Sequence, residues 1–144
     1  MTEYEPQLRA AAQRGNVSLM EQLLGKKKKP NVDNQDALGN TPLHYSAHHD
    51  HPETLEILLN NGANPNIQNN EGNTPLHKAA AKNSIPCIKA LMDNGADPRI
   101  KNKEGKQAKG LAKSAEAKSI LSRPVVLAAE VDKDMIADLD DRDD

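Results

Sequence analysis

The amino-acid sequence predicts an all-α solenoid of paired antiparallel helices, about four stacked units linked by β-hairpin fingers. Three observations carry this. The octapeptide Asn40-Thr41-Pro42-Leu43-His44-Tyr45-Ser46-Ala47 returns 33 residues later as Asn73-Thr74-Pro75-Leu76-His77-Lys78-Ala79-Ala80. A second block, Leu58-Leu59-Asn60-Asn61-Gly62-Ala63-Asn64-Pro65, returns at the same offset as Leu91-Met92-Asp93-Asn94-Gly95-Ala96-Asp97-Pro98. Finally, the chain has two tyrosines and neither Phe nor Trp. A core drawn almost wholly from Ala, Leu and Ile suits closely stacked helices, because small side chains let neighbours approach.

Within each unit the chemistry follows one order. Thr41 and Thr74 can cap a helix with their hydroxyls, and Pro42 and Pro75 fit the first helical position, where a missing N–H costs nothing. Leu43 and Leu76 begin the buried face, and Ala47 and Ala80 continue it one turn on. A polar break follows, Asp50-His51-Pro52 in one unit and Asn83-Ser84-Ile85-Pro86 in the next. The second helix then runs through residues 54–59 and 87–92, apolar at i, i+3 and i+4. Gly62 and Gly95 supply the left-handed residue that ends it, and Asx-Pro and Glu-Gly pairs make the finger turns.

The repeats fall at approximately 5–35, 36–68, 69–101 and 102–122, giving one domain over 1–123 and a tail over 124–144. The first unit matches the second at an offset of 35, with Leu23-Leu24 and Pro30 in register with Leu58-Leu59 and Pro65. The two extra residues are assigned to the stretch between Val32 and Gly39, which predicts a lengthened finger over 33–38. Lys27 stands where a glycine is expected, so the second helix of this unit should end early, at Gly25. In the last unit Lys109 replaces the apolar Leu43 and Leu76, and Gly110 takes the histidine slot. Polar residues at both ends suit outer units that face water as caps; they equally suit degenerate units of low local stability.

With Thr-Pro-Leu-His, the 33-residue period and the Gly-Ala-Asx turn on the page, the sequence resembles the ankyrin-repeat family. The resemblance implies that His44 and His77 bond back to the capping threonines and bridge adjacent units. It also implies a protein-binding surface on the finger tips and the inner face of the first helices. Carried over position by position, that surface is Asp36, Ala37, Leu38, Asn40, His48 and His49, then Asn70, Glu71, Asn73, Lys78, Ala81 and Lys82. Gln13, Arg14, Lys103, Glu104 and Lys106 flank it. Apart from Asn40 and Asn73, these positions differ between the two clear repeats while the Thr-Pro-Leu-His framework does not, as expected of a scaffold that varies where it recognises. Leu38, apolar in a polar loop, is the expected anchor.

Catalytic, metal and cofactor readings find no support. His44 and His48 lie one turn apart, but no carboxylate or cysteine joins them at ligand spacing. The chain has no phosphate-binding glycine loop and no Gly-x-Ser-x-Gly. Cys87, the single cysteine, lies on an apolar stripe and should be inert. The tail aspartates lack the glycine of a calcium loop. Asn66 resembles the position at which intracellular hydroxylases modify ankyrin repeats, although Pro65 replaces the usual small aliphatic residue.

The net charge of −2 conceals a split. Residues 130–144 hold eight acids against Lys133 and Arg142, a net −6, while residues 1–129 hold 17 cations against 13 acids, a net +4. Val131, Met135 and Leu139 recur every four residues, so the tail fits an amphipathic helix with an acidic face. Three readings stay open: a disordered solubilising tail, a segment folded back on the basic last unit, or a ligand for a basic partner. Lys26, Lys27, Lys28 and Lys29 can be read as a nuclear import signal, with a solvated connector as the favoured alternative.

The expected function is therefore non-catalytic binding of another protein by a scaffold that is monomeric when free. The alternatives are an escort for a ribosomal or histone-like protein using the acidic tail, or a weak nucleic-acid or phosphoinositide binder using the basic last repeat. Nucleic acid is disfavoured, since that repeat lacks aromatic residues for stacking. An acidic amino terminus without an apolar run, the absence of any membrane-length apolar stretch and a single cysteine point to a reducing intracellular compartment, cytoplasmic and, if the lysine run is read, nuclear.

Overall fold

The computed structural model describes residues 3–124. Eight helices follow one another: α1 (Glu5–Arg14), α2 (Val17–Leu24), α3 (Pro42–His48), α4 (Pro52–Asn60), α5 (Pro75–Lys82), α6 (Ile85–Asp93), α7 (Ala108–Leu111) and α8 (Ala115–Leu121). Odd-numbered helices pack side by side in one layer, even-numbered helices form a second, and each pair closes as an antiparallel hairpin. The core lies between the layers. Leu8, Met20, Leu43, Leu55, Leu58, Leu76, Ile88 and Leu91 fill it, and Ala11, Ala12, Ala47, Ala79 and Ala80 keep the odd helices close.

Helix starts follow from the sequence. Thr41 and Thr74 accept the N–H of His44 and His77 and form capping boxes with them. Asn16 caps α2 and Ser114 caps α8 by accepting the N–H of Leu19 and Ala117, without the reciprocal bond. The polar break is shorter than the sequence reading has it: Pro52 is the first residue of α4, and Ile85 and Pro86 open α6. The reason is that proline suits the first turn as well in the second helix of a unit as in the first. Helix α2 ends at Gly25, and Gly62 and Gly95 take φ of 86° and 89° just beyond α4 and α6. In the last unit no side chain caps α7, which runs for a single turn.

The fingers differ from the expectation of β-hairpins: among the described residues there is no strand. Each finger closes instead through an Asx side chain. One oxygen of Asp36 accepts the N–H of Leu38 and Asn40, and Asn69 and Asn102 do the same for residues 71, 73, 104 and 106. A side chain that satisfies two backbone donors leaves too few for a ladder within the finger. Pairing runs between fingers. Asn70 N–H donates to Leu38 C=O and Lys103 N–H to Glu71 C=O, both at 3.0 Å.

The lengthened finger is not found. Asn31, Asn64 and Asp97 each accept the N–H two residues on, and Gln35 and Gln68 each reach the unit that follows. The fingers of the first two units therefore match at 33 residues. Pro30 corresponds to the buried Ala63, not to Pro65. The two extra residues lie between Leu24 and Pro30, in the exposed lysine run. Lys26 of that run places its Nζ 5.4 Å from the centre of the Tyr4 ring.

Candidate functional site

The site is built on a framework of buried histidines. The Thr41 N–H donates to His44 Nδ1 at 3.0 Å, so that nitrogen is an acceptor and the proton sits on Nε2. Nε2–H then donates to the Asn73 carbonyl of the next unit at 2.8 Å. Thr74, His77 and Lys106 repeat the arrangement at 3.0 and 2.9 Å. Burial pushes the His44 pKa down to about 4, against the opposing pull of its bond to Asn73, and burial lowers His77 in the same direction. Both rings are neutral bridges between units, with no nitrogen left for a metal or a partner.

In front of this framework lies a groove of about 400 Å3. It is lined by Gln13 from α1, Leu38 and Asn40 from one finger, Asn70 and Glu71 from the next, His44, Tyr45, His48 and His49 from α3 and its end, and Lys78 from α5. The structure thus brings eight sequence-predicted positions into one concavity. Leu38 is 63% exposed, the one large apolar side chain so exposed among the described residues. Asp36 stands behind it and accepts the Tyr45 hydroxyl. Burial acts to raise the Asp36 pKa, but bonds from Tyr45, Asn40 and Leu38 outweigh it and hold the carboxyl below its ordinary value. The same burial, with Asp36 beside it, raises the Tyr45 phenol.

His48 and His49 meet edge to face at 4.8 Å, and His51 stacks beyond at 6.4 Å from His49. Burial lowers the pKa of His48 and His49; Lys78 adds to the effect on the first and His51 to that on the second. At neutral pH His48 and His49 are therefore uncharged, and the formal charges of the groove lining come from Lys78 and Glu71. Among the described residues no three His, Cys, Asp or Glu side chains converge as metal ligands.

The remaining predicted positions fall outside the lining. Ala37 is exposed beside Leu38, Arg14 is exposed at the end of α1, and half-buried Ala81 and exposed Lys82 close α5. Asn73 is committed to structure: its carbonyl accepts from His44 and its side chain from Asn102. Lys103, Glu104 and Lys106 belong to the third finger, where Lys106 and Glu104 pair loosely at 3.8 Å. Tyr45 and His44 are lining residues that the sequence reading missed. Tyr45 occupies the position of Lys78, which that reading does include, so an aromatic at a variable position was the available signal.

Two other candidates have structural duties. Both ends of the Asn66 amide are used, Nδ2 donating to Gly95 C=O and Oδ1 accepting the Asp97 N–H. Cys87 is fully buried, and that burial pushes its thiol up to about 11. The acidic tail lies outside the described residues.

A sequence profile of ankyrin repeats, in three copies, matches residues 8–102, about two-thirds of the chain. Human oxysterol-binding protein-related protein 1 is 42% identical over 65 residues, which cover 45% of this chain and 7% of that protein. Human transient receptor potential cation channel subfamily A member 1 is 37% identical over 62 residues, 43% of this chain and 6% of the channel. An ankyrin and IPT/TIG repeat-containing protein of Schizosaccharomyces pombe is 50% identical over 36 residues, 25% of this chain and 3% of its own length. The chain thus spans less than a tenth of the length of these relatives, and the similarity concerns the repeat.

Proposed function

The chain belongs to the ankyrin-repeat family, whose repeats are protein–protein interaction modules, and from that premise we propose that it binds a protein partner in the groove in front of α3 and α5. The observation that carries this reading is the exposed Leu38 at the groove's edge, held by a finger whose Asx turn and inter-finger bonds fix its position. An apolar side chain kept in water on an ordered turn gains free energy when a partner covers it, about 25 cal/mol per Å2 removed from solvent. Around it lie an aromatic, two neutral histidines, one cation and one anion, a mixed lining of the kind that fixes orientation.

The family is typically non-catalytic, and no reaction is proposed. The free protein is proposed to be monomeric and intracellular, its single cysteine being buried and offering no thiol for a disulfide between copies; among the described residues no helix is long and apolar enough to cross a membrane. Replacing Leu38, His48 and Lys82 together with alanine should abolish capture of partner proteins while leaving the far-UV circular dichroism and melting temperature intact. An undiminished capture profile would remove the groove from consideration. A second reading, nucleic-acid or phosphoinositide binding, draws on the basic last unit. It requires binding that falls steeply with salt, and no RNA or lipid binding at low salt would end it.

A further inference from the structure

The two inner fingers are each covered by the next. A Cβ built on Gly39 would meet Asn70 N at 2.7 Å, and one on Gly72 would meet Lys103 N at the same distance. The third finger is different: a Cβ on Gly105 meets nothing within 4 Å. The ladder of inter-finger bonds also stops there. Leu38 and Glu71 each give a carbonyl to the following finger, whereas the corresponding Glu104 C=O accepts nothing among the described residues. With α7 reduced to one turn, the place of a following unit is an open hollow of about 630 Å3, with Lys101, Lys106, Lys109 and Lys118 around Gly105 and Gly110. Lys101, Lys109 and Lys118 make no ion pair among the described residues.

We propose that this hollow is the docking site of the chain's own acidic carboxy-terminal segment, residues 130–144, which takes the place of a fifth unit. The charges are complementary: eight acids and two cations in the segment meet a hollow with four lysines. Reach is ample. The roughly 20 residues beyond Pro124 span about 60 Å when extended, several helix diameters, and Lys118 lies only six residues before Pro124. Tethering sets the local concentration of the segment near the millimolar range, so weak contacts suffice. A second copy stacking end to end is the poorer occupant. It would bring either another basic last unit or the first unit, where Arg9, Arg14 and four lysines outnumber Glu5, Glu21 and Asp33, against this hollow, like charge against like. A docked segment also offers backbone N–H donors to the open finger edge, and it neutralises the surface that the nucleic-acid reading would require.

The test uses the full chain, with backbone amide shifts recorded by NMR at low salt and at 0.5 M salt. A variant with Asp132, Asp134, Asp138 and Asp140 changed to asparagine serves as control. Docking predicts salt-dependent shifts at Lys101, Gly105, Lys106, Lys109, Gly110 and Lys118 that are independent of protein concentration and at least halved in the variant. Three results would each overturn the proposal: no difference between chain and variant at these positions, changes confined to Lys78 and Lys82 or to residues 26–29, or changes that disappear on tenfold dilution. The outcome does not depend on the partner groove, since neither the site nor the segment includes it.

Discussion

Protonation of His44 requires it to give up a structural bond. A proton on Nδ1 displaces the Thr41 N–H that this nitrogen accepts, so the folded protein holds the ring neutral down to about pH 4. In the unfolded chain the same ring takes its proton near pH 6.5. As pH falls the unfolded state therefore binds the proton first; stability is complete above about 6.5 and is lost progressively toward 4, by on the order of 3 kcal/mol for this residue. His77 shifts in the same direction and adds to the slope. The melting temperature, followed by circular dichroism, should fall clearly between pH 7 and pH 5. The double replacement of His44 and His77 by alanine should melt lower at pH 7 and show a flatter pH profile. Cys87 provides a second check: with its thiol buried and pushed to about 11, iodoacetamide should leave it unmodified in native buffer and modify it fully in denaturant.

At the scale of the element, the fingers set the tolerance to change. Gly72→Ala combines a left-handed backbone with a Cβ driven into the backbone of the next finger, for roughly 2–4 kcal/mol of destabilisation. Gly105→Ala carries the backbone strain alone, about 1 kcal/mol. Urea unfolding of the two variants should rank them in that order. The lysine run makes the opposite case. Deleting Lys27 and Lys28 removes the two residues that separate the first unit from a 33-residue period, and exposed side chains of this kind contribute within about 0.5 kcal/mol. Helix pairs, caps and the period were legible because each depends on residue types at fixed spacing. The place of the insertion was not: residue type pairs Pro30 with Pro65, whereas the fold matches positions by which side chain closes the Asx turn, a role that Asn31, Asn64 and Asp97 share. Strand pairing in the fingers failed for a related reason, since Asp36, Asn69 and Asn102 take the donors that strands would use. Most of the groove was legible from positions that vary between repeats; Tyr45 stands at one such position, opposite Lys78, and its bond to Asp36 of its own finger shows only in the packing of α3.

At the scale of the whole molecule, every cross-unit bond of the framework among the described residues joins neighbours. His44 reaches Asn73, His77 reaches Lys106, and the paired amides of Asn40 with Asn69 and of Asn73 with Asn102 do likewise. Stability in such an array is a sum of units and nearest-neighbour interfaces. The one-turn α7 leaves the last interface the smallest, so amide exchange should be fastest in the fourth unit. The forward reach of the histidines has a practical consequence for anyone dividing the molecule. A repeat drawn on the sequence closes at Lys101, yet a chain cut there strands the His77 ring and the Glu71 carbonyl, whose partners lie in the next five residues. The separable piece of this protein is a helix pair together with the finger of its successor. A fragment ending at residue 107 should therefore melt several degrees above one ending at 101, although it gains no helix.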